Sequence, residues 1–352
     1  MTTVHDAIIG RVITTGIPGP RLDAATRRAL EQLAPSGVVL FDRNIEDVAQ
    51  LRELTAALHA LPSRPLVAID HEGGRVTRLG PPLTQFPAAA AVGRGGPEAT
   101  HAVGRAMGLE LASLGIDVDY APVLDVHSNP ANPVIGDRAF SNDPAAALAV
   151  AFMRGLQSAG LLPCGKHFPG HGDTDRDSHL ELPVVRRGVA ALQATELAPF
   201  RAAIAAEIPM LMTAHVLYPA LDRDRAATLS PAILHGLLRD ELGFRGVVVS
   251  DDLDMRAVSD HAAVPEAAVA SLRAGVDWLL LCNDLEQSLR VAERVEAARV
   301  RGELDADALT ASAARIARLR AAVRPGQPVT LPVPAHAALA ARLRGMVPDA
   351  TA

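Results

Sequence analysis

The sequence predicts an α/β fold, a single (β/α)8 TIM-type barrel with an extra C-terminal helix and tail. Two patterns lead there: eight short apolar runs rich in β-branched residues, and amphipathic stretches of helical length between them. Length is the third observation, because 352 residues suit one large α/β barrel and no long polar linker divides them.

The apolar runs fall at residues 8–13, 37–41, 66–69, 118–124, 163–168, 210–214, 247–250 and 278–282. They are mostly continuous rather than alternating, as strands buried on both faces are. The helical stretches cover residues 23–33, 46–60, 97–114, 144–159, 188–206, 231–242, 264–274 and 285–298. Start signals such as Asp143-Pro144 and Ser230-Pro231 and stop signals at Gly115, Gly160 and Gly243 bound several of them. A further helix over 306–322 and a Pro-rich tail from Pro325 follow. The expected organisation is a catalytic barrel over 1–322 and a tail over 323–352 packed on its outside.

Composition narrows the function. The net charge is −6 and no basic run is present, which argues against nucleic acid as a partner. No stretch of about 18 apolar residues escapes a charge or a breaker, so no membrane span is expected. The start of the chain lacks a basic segment followed by a long apolar core, and the two cysteines, Cys164 and Cys282, lie in separate strand-like runs. Both features fit a cytoplasmic, reduced setting, and a monomer is expected. Among 34 Lys and Arg residues the single lysine is Lys166, a sign that its place needs a compact ammonium rather than a planar guanidinium.

Chemistry gathers where the strands end. Strand two runs into Asp42-Arg43-Asn44, strand three into Asp70-His71-Glu72-Gly73-Gly74-Arg75 and strand four into Asp125-Val126-His127. Strand five ends in Lys166-His167, strand six at His215 and strand seven at Asp251-Asp252. In a barrel all these ends open on one face, where active sites are built. The segment from Lys166 to His179 is dense in His and Asp, and within it Asp177 and His179 stand two apart. In extended chain that spacing shares a face, so the carboxylate can orient the imidazole as a general acid/base. A carboxylate at a strand end is rigidly held, which suits a nucleophile; Asp251 is favoured over Asp252 because it is nearer the strand.

These residues together resemble glycoside hydrolase family 3, in particular its NagZ-type β-N-acetylglucosaminidase branch. The likeness rests on Asp70-His71-Glu72-Gly73-Gly74-Arg75, the Lys166–His179 loop and Ser250-Asp251-Asp252-Leu253-x-Met255, and it spans about residues 37–282. The resemblance implies Asp251 as nucleophile, His179 as acid/base with Asp177 as its partner, and Asp70, Arg78, Arg138, Lys166 and His167 as sugar contacts. Arg138 sits in Arg-Ala-Phe where the family more often has Arg-Ser-Phe. The implied substrate is carbohydrate, GlcNAc-containing muropeptides of cell-wall recycling in particular. Aromatic residues are 3% of the chain, too few for a polysaccharide platform, so exo action on one terminal sugar fits better.

Three alternatives use the same residues. A phosphorylase would pass the sugar to phosphate, since a histidine repels phosphate less than a carboxylate does. A metal-dependent barrel hydrolase could use His167, His171, Asp173, Asp175, Asp177 and His179, but strand one lacks the His-x-His such barrels open with. A calcium loop starting at Asp173 fails because its twelfth position is Val184. The third is a non-catalytic binding protein, disfavoured because both catalytic groups are present. No cofactor or metal is expected.

Overall fold

A computed structural model describes residues 7–140, 145–178, 180–324 and 326–346 of the chain. Eight parallel strands close into a barrel in sequence order, β1 pairing with β8 through Thr14 and Leu280. The strands are β1 (Ile13–Gly16), β2 (Gly37–Leu40), β3 (Leu66–Ile69), β4 (Val118–Asp119), β5 (Leu162–Phe168), β6 (Met210–Thr213), β7 (Val247–Asp252) and β8 (Trp278–Leu281). Except for the last two residues of β7, every strand residue is buried. That explains the continuous apolar runs: one face fills the barrel and the other lies under helices.

The helices are α1 (Ala7–Gly10), α2 (Ala24–Leu33), α3 (Val48–His59), α4 (Ala89–Gly93), α5 (Gly96–Ala112), α6 (Ala145–Ser158), α7 (Val189–Ala194) and α8 (Ala198–Ala205). After a π-type helix (Ala232–Glu241) come α9 (Arg256–Ser259), α10 (Val264–Ala274), α11 (Leu285–Val300), α12 (Ala306–Ala321) and α13 (Pro334–Arg344). Carboxylates start several of them: Asp23 accepts from the Thr26 amide and Asp47 from the Gln50 amide, satisfying donors the first turn leaves open.

Several expected elements are corrected. Strand one begins at Ile13, because residues 7–10 form a helical turn that breaks at Gly10 and Arg11. Strand four pairs regularly only over Val118–Asp119, with a single further bridge from Val123 to Lys166. The helix expected over 188–206 is two, since Pro199 has no amide proton to continue the ladder and starts α8 instead. Residues 232–241 wind with the wider π spacing, shown by the Leu242 amide bonding back to the Leu237 carbonyl at 2.9 Å. The tail contains α13, whose Ala340 and Leu343 are fully buried against α4 and α5. The Asp143-Pro144 signal, Pro325 and residues 347–352 lie outside the described residues.

Two irregularities matter for the site. Strand register shifts between Gly165 and Phe168 on β5 and between Val249 and Asp252 on β7, both at the carboxyl ends. Such shifts re-aim side chains, here Lys166, His167 and Asp251.

Where α5 crosses α6 the backbones nearly touch. A Cβ on Gly104 would stand 2.3 Å from the Phe152 carbonyl oxygen, and one on Gly155 2.3 Å from that of His101. Gly104→Ala should therefore lower the free energy of unfolding in urea by about 2 kcal/mol through overpacking. Gly236→Ala, where nothing lies within 4 Å, should be neutral or gain up to about 1 kcal/mol.

Candidate active site

The closed strand order sets β3 four places from β7, on the far side of the mouth. Asp70 follows β3 and Asp251 ends on β7, so the two carboxylates face a common cavity from opposite walls. That cavity is about 350 Å3 and is lined by Asp70, Arg78, Arg138, Lys166, His167 and Asp251 among the expected residues. The volume suits one small polar ligand.

Its floor is an ion lattice. Lys166, 2% exposed, donates from Nζ to Asp70 Oδ1 at 2.6 Å and lies 2.6 Å from Glu72 Oε1. Arg138 grips Glu72 with both edges of its fork, Nε and Nη2 each at 2.9 Å. Burial alone would raise the Glu72 pKa, but the charges of Lys166 and Arg138 overcome it and hold the carboxyl below the ordinary carboxylate range. Burial likewise opposes the Lys166 charge, and Asp70 and Glu72 reverse that, so the ammonium is held more tightly than a free lysine's. Arg78 stands further off, 4.0 Å from Asp70 and 3.9 Å from Asp42, with its guanidinium over the Phe41 ring.

A second network fixes the loop after β5. Asp125 is buried and accepts from His167 Nδ1 at 2.7 Å, from the His167 amide at 3.1 Å and from the His171 amide at 2.6 Å. Burial raises its pKa less than His167 and these donors lower it, so it stays an anion. His171 is pushed down to about 4 by burial and by the neighbouring His167. It is thus neutral at pH 7, and its two nitrogens meet Thr174 Oγ1 at 2.9 Å and Ser178 Oγ at 3.0 Å. Asn132 completes the brace by donating to the His171 carbonyl and to Thr174. Asp177 is half-buried on the turn after this brace, and its carbonyl accepts from the Leu180 and Glu181 amides. His179 lies outside the described residues.

Asp251 Oδ1 accepts from the Asp252 amide at 2.8 Å. Asp252 points to the β8 end instead, accepting from the Cys282 amide at 3.1 Å and from Asn283 Nδ2 at 3.3 Å. Burial, then the Asp254 charge, pushes Asp252 up to about 7, so near neutrality it is partly protonated and repels Asp251 less.

Other strand-end residues serve structure. Asn44 donates to the Ile17 and Gly19 carbonyls, and Arg43 to those of Ile17 and Cys282. His215 bridges Thr228 Oγ1 and the Asp252 carbonyl, steadying the carboxyl end of β7. Sequence reasoning assigned no role to Glu72, Asp125 and Ser178. Glu72 lay in the strand-three motif and Asp125 at the end of strand four, but only tertiary pairing reveals their partners. Among the described residues no three His, Cys, Asp or Glu side chains group to hold a metal ion.

The lattice predicts a pH-dependent cost. Lys166→Met should destabilise the fold by about 3–5 kcal/mol at pH 7, because it leaves buried carboxylates short of a partner. The contribution of a carboxylate with lowered pKa is present above its unfolded value, about 4.5 for Glu72, and fades as pH falls through the folded one. Urea midpoints of wild type and variant should therefore converge below pH 4.5. A gap that stays constant from pH 7 to pH 3 would refute this assignment.

Comparison with known proteins places this geometry. The model of the glycosyl hydrolase family 3 N terminal domain matches residues 7–319. A β-hexosaminidase of Thioalkalivibrio sulfidiphilus is 43% identical over 313 residues, 86% of this chain and 87% of its own. Among solved structures, a glycoside hydrolase family 3 β-N-acetylglucosaminidase from a Paenibacillus species superposes with a TM-score of 0.92 at 36% identity, over 97% of this chain and 68% of that one. NagZ from Neisseria gonorrhoeae, in complex with N-trifluoroacetyl-D-glucosamine, gives 0.81 at 32%, over 95% and 97%. The chain belongs to glycosyl hydrolase family 3 and is a glycoside hydrolase related to the β-hexosaminidases.

Proposed function

We propose that the chain is a retaining, exo-acting β-N-acetylhexosaminidase that removes terminal non-reducing β-linked N-acetylglucosamine. Asp251 attacks the anomeric carbon and the leaving oxygen takes a proton from His179, giving a glycosyl-enzyme. His179, oriented by Asp177, then deprotonates the water that releases the sugar. The observation carrying this reading is the Asp251 carboxylate on the wall of a 350 Å3 cavity, across the mouth from Asp70 and its lysine.

Asp70, Arg78, Arg138, Lys166 and His167 hold the sugar. Lys166 and Asp70 offer a donor and an acceptor side by side, the pairing that neighbouring hydroxyls require. A histidine titrates near about 6.5, so His179 serves as acid and base near neutrality with little tuning. The physiological substrates are GlcNAc-anhydro-muropeptides in cytoplasmic peptidoglycan recycling. Similarity to a β-hexosaminidase and a β-N-acetylglucosaminidase supports the sugar preference. Among the described residues no helix is long and apolar enough to cross a membrane.

Wild type should release 4-nitrophenol from the β-N-acetylglucosaminide far faster than from the β-glucoside, with the β-anomer of the free sugar appearing first by NMR. Asp251→Asn should lose on the order of 10⁴-fold or more in kcat. Unchanged activity would move the nucleophile elsewhere. The pH profile of kcat/KM should peak near neutrality, and His179→Ala should flatten it while losing less on a leaving group that needs no proton. A wild-type profile still rising toward about pH 4 would point to a carboxylic acid in place of His179. GlcNAc-1-phosphate formed in phosphate buffer would show a phosphorylase.

A further inference from the structure

A second cavity of about 410 Å3 opens at the other end of the barrel. Arg245, just before β7, and Gly275 to Asp277, just before β8, line it, so it lies at the amino ends of the strands and away from Asp251. The π-type helix supplies Arg239, and α12 supplies Ser312 and Arg315.

The floor is built and buried. Asp277, 2% exposed, accepts from the Val248 amide at 2.8 Å and Arg239 Nη2 at 2.6 Å on one oxygen. Its other oxygen accepts from Ser312 Oγ at 2.7 Å and Arg315 Nη1 at 2.8 Å. One carboxylate thus serves two guanidinium groups. Arg239, 8% exposed, is also held by the Phe244 and Gly246 carbonyls and lies over the Phe244 ring. Burial first, and then the charges of Arg315 and Arg245 against that of Asp277, make its cation less comfortable than a free one.

The rim adds to the imbalance. Arg245 and Arg273 are exposed at the cavity; Arg273 reaches the Glu303 carbonyl, and its Nη2 is 3.9 Å from the Glu303 carboxylate. Among the described residues Arg245 has no acidic group within ion-pair distance. Four arginines therefore line this cavity with two acids, Asp277 and Asp305, in a chain whose net charge is −6. A local cation excess beside solvent draws an oxyanion, and guanidinium forks match its geometry. The volume exceeds what bare phosphate needs and leaves room for a small organic substituent.

We infer that this cavity binds the phosphate group of a small molecule, on the barrel face opposite the sugar site. The competing account makes the arginines a clamp for α12 alone, which needs Arg239 and Arg315 but neither rim residue. The test is calorimetry and phosphorus NMR on the full chain, with orthophosphate and glycerol 3-phosphate at fixed ionic strength. Wild type and Asp251→Asn should show the same saturable binding, and Arg245→Ala/Arg273→Ala should weaken it at least about tenfold with an unchanged melting temperature. Equal affinity for the two probes makes free phosphate the ligand; tighter binding of the ester makes it a phosphomonoester. Absence of binding to either probe would overturn the inference. So would binding that survives the double substitution and disappears in Arg78→Ala, because the anion would then sit in the sugar cavity.

Discussion

Lys166 is buried with two carboxylates within 2.6 Å, a placement tolerable only if further charge completes the set. Arg138 supplies it, its Nε taking the Glu72 oxygen that Lys166 leaves free and its Nη2 sharing the other. The resulting lattice joins the end of β5, the loop after β3 and the segment carrying Arg138, the last two also tied by Arg75, which donates to the Val134 and Ile135 carbonyls. Removing any one charge leaves the others buried and unbalanced, so the geometry of the mouth is held as a unit. An ammonium suits the centre, because a compact charge can meet the Asp70 and Glu72 carboxylates at once.

The two ends of the barrel hold charge differently. At the carboxyl ends, Asp70, Glu72 and Asp251 are set against Lys166, Arg138 and Arg78, with Asp252 partly protonated near neutrality. The sum is close to neutral, which suits an uncharged sugar and no strong counter-ion. At the amino ends Asp277 ties β7, β8, the π-type helix and α12 together, and Asp117 does the same for β3, accepting the Val67 amide and His59. Buried aspartates at strand starts close the bottom; ionisable groups at strand ends furnish the top.

The barrel was legible in the sequence because burial on both faces writes itself as unbroken apolar runs, and alternation with helices leaves few topologies. What failed was local. Ile8, Ile9, Val12 and Ile13 read as one strand, since apolar character says nothing of the turn at Gly10 and Arg11 that separates α1 from β1. Residues 232–241 have ordinary amphipathic spacing, so their π winding left no trace, and α13 buries only Ala340 and Leu343, too little to mark a helix. In the site, the residues announced themselves by standing at strand ends, but their partners did not. Lys166 and Asp70 are 96 residues apart, and nothing local selects Asp70 and Glu72 over the other carboxylates of the mouth.

The loop after β5 poses the opposite problem from the lattice, since on the proposed mechanism it carries the acid/base next to a brace of neutral groups. His171 is held uncharged near pH 7 between two hydroxyls, so this imidazole keeps one protonation state while the proposed acid/base changes its own. On the proposed mechanism Asp251 supplies the negative charge that an oxocarbenium-like transition state uses. On that reading the mouth is near neutral to the ground-state sugar and negative where positive charge develops, which is the difference in binding that catalysis requires.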